Sequence, residues 1–168
     1  MLRGVIACAS AVIMAASATQ PAYASTGGLA LNGTYLATSN GDWAKTNERY
    51  HDEVSVRSVW TINSTCSNAF ECAGTVTSDQ GWTAPIFKSS TSWTVDRELP
   101  TWQPCPDGTT SPGHQKFRFY VVDAYGQVDL TNESPVFAGE DKTSGQSGAC
   151  GVSKTLLIRM PFRLEKLT

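Results

Sequence analysis

The sequence predicts an all-β fold: an antiparallel, up-and-down, barrel-like meander of about seven or eight strands, with a β-sandwich as the alternative. Three observations carry this. Apolar residues recur with period two in run after run, turn residues separate the runs, and no stretch shows the 3.6-residue repeat of a convincing amphipathic helix.

The runs are taken in chain order. "NGTYLATS" is a weaker strand near the start. "DWAKTNERYHDE" (42–53) is the one stretch that could hold a helical turn or two. In "VSVRSVWTINSTC" the even positions Val54, Val56, Ser58, Trp60, Ile62, Ser64 and Cys66 share a face, against Ser55, Arg57, Thr61 and Asn63. In "FECAGTVTSD", Phe70, Cys72, Gly74 and Val76 oppose Glu71, Thr75 and Thr77. "TAPIFKS" is a weaker strand. Trp93 and Val95 face one way in "TSWTVDR", and Phe117, Phe119 and Val121 do so in "QKFRFYVVD". "QVDLT" and "SPVFAG" are further weak strands. In "KTLLIRMPFRLEKL", Leu156, Ile158, Met160, Phe162 and Leu164 oppose Arg159, Arg163 and Glu165. Pro161 cannot donate to a ladder, so it predicts an edge, a bulge or a break there. Turns fall at Asn40-Gly41-Asp42, Gln80-Gly81 and Tyr125-Gly126-Gln127. Segments 39–53, 98–115 and 139–153 read as long loops, and such loops on a β scaffold are functional or tied down.

Residues 1–24 read as a signal peptide. Arg3 supplies the charge, "GVIACASAVIMAASA" the small-residue apolar core, and Ala22-Tyr23-Ala24 a small-x-small site cleaved before Ser25. The core is shorter than the roughly 20 residues of a spanning helix, and no other segment is apolar enough to span. "VIAC" resembles a lipoprotein processing site, but most of the apolar core follows Cys8, so Cys8 belongs to the leader. The remaining chain, 25–168, suits one secreted domain, outside the cell or in its envelope. Without Arg3 it carries 12 basic and 15 acidic residues. No basic patch offers itself to phosphates, which disfavours nucleic acid.

Four cysteines remain: Cys66, Cys72, Cys105 and Cys150. An even number in an exported chain predicts two disulfides, with three possible connectivities. Cys66 and Cys72 share the apolar face by parity and flank a short polar loop, so a cross-strand clamp at a hairpin is favoured. Cys105–Cys150 then staples two long loops. The spacing does not suit zinc, and no C-x-x-C pair exists.

Catalytic signals are weak. "GQSGA" (145–149) lacks the strand and helix of a nucleophile elbow. His51, beside Asp52 and Glu53, is the residue a hydrolase would use, yet no nucleophile can be assigned to it. His114 reads as a surface histidine, and Glu140-Asp141 as a solvated turn lacking a calcium-loop pattern. No cofactor or metal is implied. Among the five tryptophans, Trp60 and Trp93 fall on core faces. Trp43, Trp82 and Trp102 sit in or beside turns, where they could stack on a sugar ring, line a ligand mouth or plug the barrel ends. Asn32, Asn63 and Asn132 begin sequons, which the bacterial type of leader sets aside.

"GTYLATSNGDWAKTNERYHDE", "TSDQGW", "CPDGT", "AGEDK", "GACG" and "MPFRLEKL" resemble exported mycobacterial proteins of unknown function. The order of paired cysteines, with "DGT" after a Trp-Pro loop, is also similar to the extracytoplasmic sensor regions of some mycobacterial serine/threonine kinases. The resemblance implies export and a sensor-like or ligand-binding β domain. It brings no catalytic residues, and the chain has no kinase segment. "NGTY" echoes the opening of lipocalin-like barrels, with Tyr35 in place of tryptophan and Arg163 in place of the packing arginine; the analogy concerns architecture.

The expected function is non-catalytic binding of an apolar or envelope-derived small ligand, with the space enclosed by the strands as one place to hold it. An envelope protein-interaction module acting through its loops is the first alternative, and a hydrolase using the His51 region the second.

Overall fold

The computed structural model describes residues 29–131 and 134–167. The leader with its cleavage point, Cys8 and the sequon at Asn132 lie outside the described residues. Ten strands follow in order: β1 (Asn32–Ser39), β2 (Lys45–Thr46), β3 (Arg49–Tyr50), β4 (Val56–Cys66), β5 (Glu71–Ser78), β6 (Thr83–Ser89), β7 (Ser92–Pro104), β8 (Thr110–Val121), β9 (Val136–Gly145) and β10 (Leu157–Lys166). Strands β4 to β10 pair in sequence order and antiparallel, β1 pairs β4, and β10 returns to β1 from Tyr35–Lys166 to Ser39–Phe162. The result is a closed eight-stranded barrel, not a sandwich. The β2–β3 hairpin lies outside it, attached to β10 at Ile158 and Arg159.

Period-two alternation sends one face of each strand inward. The filled interior comprises Tyr35 and Ala37 from β1, Trp60 and Ile62 from β4, Val76 from β5, and Ala84 and Ile86 from β6. Trp93 and Val95 of β7, Phe117, Phe119 and Val121 of β8, Phe137 of β9, and Phe162 and Leu164 of β10 complete it. Its centre is aromatic. Trp60 lies 4.9 Å from Phe117 and 5.3 Å from Phe162 between ring centroids, with Phe117 edge-on to it.

Two prolines define the sheet's irregularities. The Trp82 carbonyl accepts from the Ser78 amide, so alternate residues of β6 face β5 and Pro85 faces β7. With no N–H there, the β6–β7 ladder stops at Ile86–Val95. Beyond Val95 the β6 side of β7 has no strand partner among the described residues, and Pro100 with a register shift between Leu99 and Gln103 blunts that edge. Pro161 does not break its strand, contrary to one expectation. β10 is continuous, and the Pro161 carbonyl accepts from Asn40 at the point where β10 changes neighbour from β1 to β2. The missing donor therefore falls on the side where pairing is interrupted anyway.

Several loop expectations fail. Most of 98–115 and the first part of 139–153, to Gly145, continue β7, β8 and β9, a 3-10 turn (Ala149–Gly151) follows, and 39–53 holds a 3-10 turn (Gly41–Trp43) and the β2–β3 hairpin. Hydrogen bonding to neighbouring strands extends these polar, Gly- and Pro-containing segments, which local composition reads as loop. "QVDLT" is no strand; its one pairing is an isolated Val122–Val128 bridge. Val54 and Phe70, assigned to the inner face by parity, lie outside the strands and are exposed, because alternation holds only while the strand lasts. Arg163 is also exposed, paired with Glu165 at 2.9 Å rather than packed across Tyr35.

Both disulfides form as expected. Cys66 and Cys72 are directly opposed where β4 meets β5, and Cys105–Cys150 ties the β7–β8 turn to the segment after β9.

Candidate functional site

The barrel has no room for a ligand among its core side chains. A residual cavity of about 20 Å³ lies at the end where β7–β10 outrun their neighbours. That is space for one water and not for a small molecule. Trp82 closes this end: it is partly buried against the core, 5.4 Å from Trp60 and stacked parallel to Phe117 at 6.4 Å. The Arg97 guanidinium lies 4.2 Å above the Trp82 ring. Arg97 Nε donates to Gln115 Oε1 (2.7 Å), Gln115 Nε2 donates to both Asp141 oxygens (2.9 and 3.0 Å), and Ser39 Oγ donates to Asp141 Oδ2 (2.7 Å).

Asp141 is 3% exposed, so it is no part of a solvated turn. Burial pushes its carboxyl above the usual carboxylate range, against the pull of the Ser39 and Gln115 hydrogen bonds and of Arg97. Burial likewise lowers Arg97, which Asp141 partly opposes. Asp141, Gln115, Ser39 and Arg97 Nε are hydrogen bonded to one another, while Trp82 Nε1 is buried without a partner; the evident work of the group is to seal a polar barrel end. Sequence reasoning missed it although a signal was present. Arg97 has the parity of Trp93 and Val95, Gln115 that of Phe117, and Asp141 that of Phe137. Polar residues in core register mark buried partners.

The second tryptophan, Trp102, belongs to β7. Its ring lies over Gly113 and Gly145, where a Cβ on Gly113 would fall 2.6 Å from Trp102 Cε3. It fills a glycine-made seat.

Trp43 differs from both. It ends a tightly built turn yet is 63% exposed. Asn40 Oδ1 accepts from the Asp42 amide, Ser55 Oγ from the Gly41 amide, and the Gly41 carbonyl from the Ala44 and Glu53 amides. A Cβ at Gly41 would lie 1.9 Å from the Glu53 carbonyl oxygen, so only glycine lets the two backbones approach this closely. Ala44 is buried and its carbonyl accepts from His51. The turn is thus pinned while its largest side chain faces water.

Trp43 borders an open groove of about 250 Å³ with Lys45, Gly139, Glu140, Arg159, Met160 and Pro161. Arg159 Nη1 is 3.8 Å from Glu140 and Nη2 is 3.5 Å from Glu48. Arg159 Nε is buried with no hydrogen-bond partner. Lys45 Nζ lies 4.8 Å from the Tyr50 ring centroid. Trp43, Trp82 and Trp102 therefore serve three separate places: Trp43 borders this open groove, Trp82 the small residual cavity, and Trp102 the glycine seat.

His51 is 67% exposed and its Nδ1 lies 3.2 Å from Glu53 Oε1, which also accepts from Thr46 Oγ1. Among the described residues no hydroxyl or thiol is hydrogen bonded to its ring. His114 lies 3.4 Å from Asp96 on the outer surface. Ser147 of "GQSGA" sits in the segment after β9, its hydroxyl near the Ser153 carbonyl. No three His, Cys, Asp or Glu side chains cluster in a way that could hold a metal among the described residues, and no described helix is long and apolar enough to cross a membrane.

With this geometry, the chain is similar in fold to the monomeric form of the Mycobacterium tuberculosis PknI sensor domain, with a TM-score of 0.56. The identity is 15%, and the match covers 82% of this chain and 88% of the other. No family model and no curated protein matches the chain.

Proposed function

We propose that this protein is exported and acts outside the cytoplasm as a non-catalytic, sensor-like recognition domain whose ligand binds on the outer surface, at the Trp43 groove. One contrast carries the reading: the interior is filled with side chains, while a rigid turn holds a tryptophan in water beside a groove. A single exposed tryptophan is ordinary on a protein surface; what sets Trp43 apart is that its turn is pinned by hydrogen bonds and that it borders a groove with polar groups. Two disulfides favour an oxidising compartment, which agrees with the leader pattern. The sensor-domain likeness supports the architecture of such a module.

The test is retention of the purified chain by mycobacterial cell envelopes, with and without Trp43→Ala. Retention by the parent and its loss in the variant supports the proposal; absence of retention, or equal retention, removes it. A second reading places recognition at the opposite barrel end, where Phe70, Tyr125 and Leu130 are 64%, 90% and 74% exposed. Loss of retention in a Phe70→Ser, Tyr125→Ser double variant, with none in Trp43→Ala, would move the binding surface there.

A further inference from the structure

We infer that the Trp43 groove is a subsite for a single uncharged pyranose ring of a neutral glycan. This rests on the surface-recognition reading above and adds the class of ligand. Size is the first argument. The groove offers about 250 Å³ and is open, whereas pockets for drug-sized molecules run roughly 300–1,000 Å³ and bury most of their ligand. It suits one ring lying across a surface and not an enclosed lipid chain.

Lining chemistry is the second. Trp43, Met160 and Pro161 supply the apolar part of the lining. A pyranose presents C–H groups on its faces and hydroxyls around its rim, so one face can rest on an indole while the rim reaches polar groups. Those groups are Glu140 as acceptor and Lys45 and Arg159 as donors.

Charge is the third. Arg159 is already flanked by Glu140 at 3.8 Å and Glu48 at 3.5 Å, and Lys45 lies by the Tyr50 ring. A phosphate or carboxylate ligand would have to displace these carboxylates or meet their repulsion. Uncharged hydroxyls can accept from the cations and donate to Glu140 without disturbing the balance. A proline-rich peptide would need a groove walled by aromatic rings. Here Trp43 is the single aromatic ring among the lining residues, and the Tyr50 ring carries Lys45.

The experiment titrates the full mature chain with cellotetraose, maltotetraose and N-acetylchitotetraose, read by tryptophan fluorescence and by calorimetry. Octaproline and inorganic phosphate serve as competing probes. Saturable binding of at least one oligosaccharide is expected, weakened tenfold or more by Trp43→Ala and partly restored by Trp43→Phe. Circular dichroism of each variant checks that the fold is retained. The inference is overturned if none of the three oligosaccharides binds saturably, if Trp43→Ala binds as the parent does, or if octaproline or phosphate binds more tightly. Envelope retention that depends on Trp43, without oligosaccharide binding, would leave surface recognition standing and remove only the glycan.

Discussion

The two ends of the barrel close in opposite ways. At the short-hairpin end the strands stop together, and Cys66–Cys72 clamps the β4–β5 tip. Inward-facing Lys88 reaches the Ala69 carbonyl of that tip at 3.0 Å. Beyond this seal Phe70, Tyr125 and Leu130 are left in water. At the long-strand end β7–β10 run on past the rim, Cys105–Cys150 ties them, and Trp82, Arg97, Gln115 and Asp141 plug the opening. The β2–β3 hairpin and the Trp43 turn are added on that side. A barrel must seal both mouths. The simple end does so with one charged side chain and a local clamp, and the elaborated end uses a network plus extra strands that also support a groove.

The disulfides offer the largest effects with which to break this comparison. Cys105–Cys150 spans 45 positions and Cys66–Cys72 only 6. In the chain-entropy account, removal costs about 4 kcal/mol for the first and about 2 kcal/mol for the second. Denaturant unfolding of Cys105→Ala/Cys150→Ala and Cys66→Ala/Cys72→Ala double variants measures both. Equal losses would mean that the long-strand end is held by its strand pairing and not by its staple.

The buried charges predict opposite pH dependences at the two ends. Asp141 is raised by burial, so the unfolded chain releases this proton at lower pH than the folded one. As pH rises from the ordinary carboxylate value through the raised one, the unfolded state holds fewer protons and stability falls, by at most about 1.4 kcal/mol per pH unit. Lys88 is lowered by burial, so the folded chain releases its proton first. Approaching the ordinary lysine value from below, the unfolded state holds more protons and stability rises with pH. Melting curves across pH for the parent, Asp141→Asn and Lys88→Met should show each variant losing only its own slope. A parent profile flat through both windows would refute the contrast.

The smallest effects concern the exposed aromatics. Trp43→Ala and Phe70→Ala should each change stability by no more than about 0.5 kcal/mol, since neither side chain is part of the core. A loss well above this for Trp43 in thermal unfolding would make it a packing residue and weaken the case for recognition. The same loss at Phe70 would instead show that the short-hairpin end depends on its tip.

Much of this was legible in the residues. The inner faces of β4, β7, β8 and β10 follow from parity, because Trp60, Trp93, Phe117 and Phe162 alternate with polar neighbours. The cysteine pairing followed from spacing and from the opposed faces. The site was less legible. Trp43, Trp82 and Trp102 are alike in sequence context, each beside turn residues, yet one plugs, one fills a glycine seat and one faces water. Arg97 and Asp141 stood in core register and could have been found by asking which charged residues share the parity of buried aromatics.

The sequence by itself determined the all-β class, the inner faces of the clearest strands and the pairing of the four cysteines. Alternation, turn chemistry and the Cys66–Cys72 spacing are local, set within a dozen residues, and with that pair assigned Cys105 and Cys150 follow by elimination. Only the tertiary structure decided that β1 meets β10, that β7–β9 extend through apparent loops, and that Trp43 is left outside. The first depends on segments more than a hundred residues apart, as Ser39 with Asp141 and Asn40 with Pro161 show, and the strand extension on ladders between neighbouring strands such as Gln103 with Ser111 and Gly113 with Gly145. Exposure of a side chain is decided by what the rest of the chain brings to cover it, and at Trp43 the chain brings only a groove.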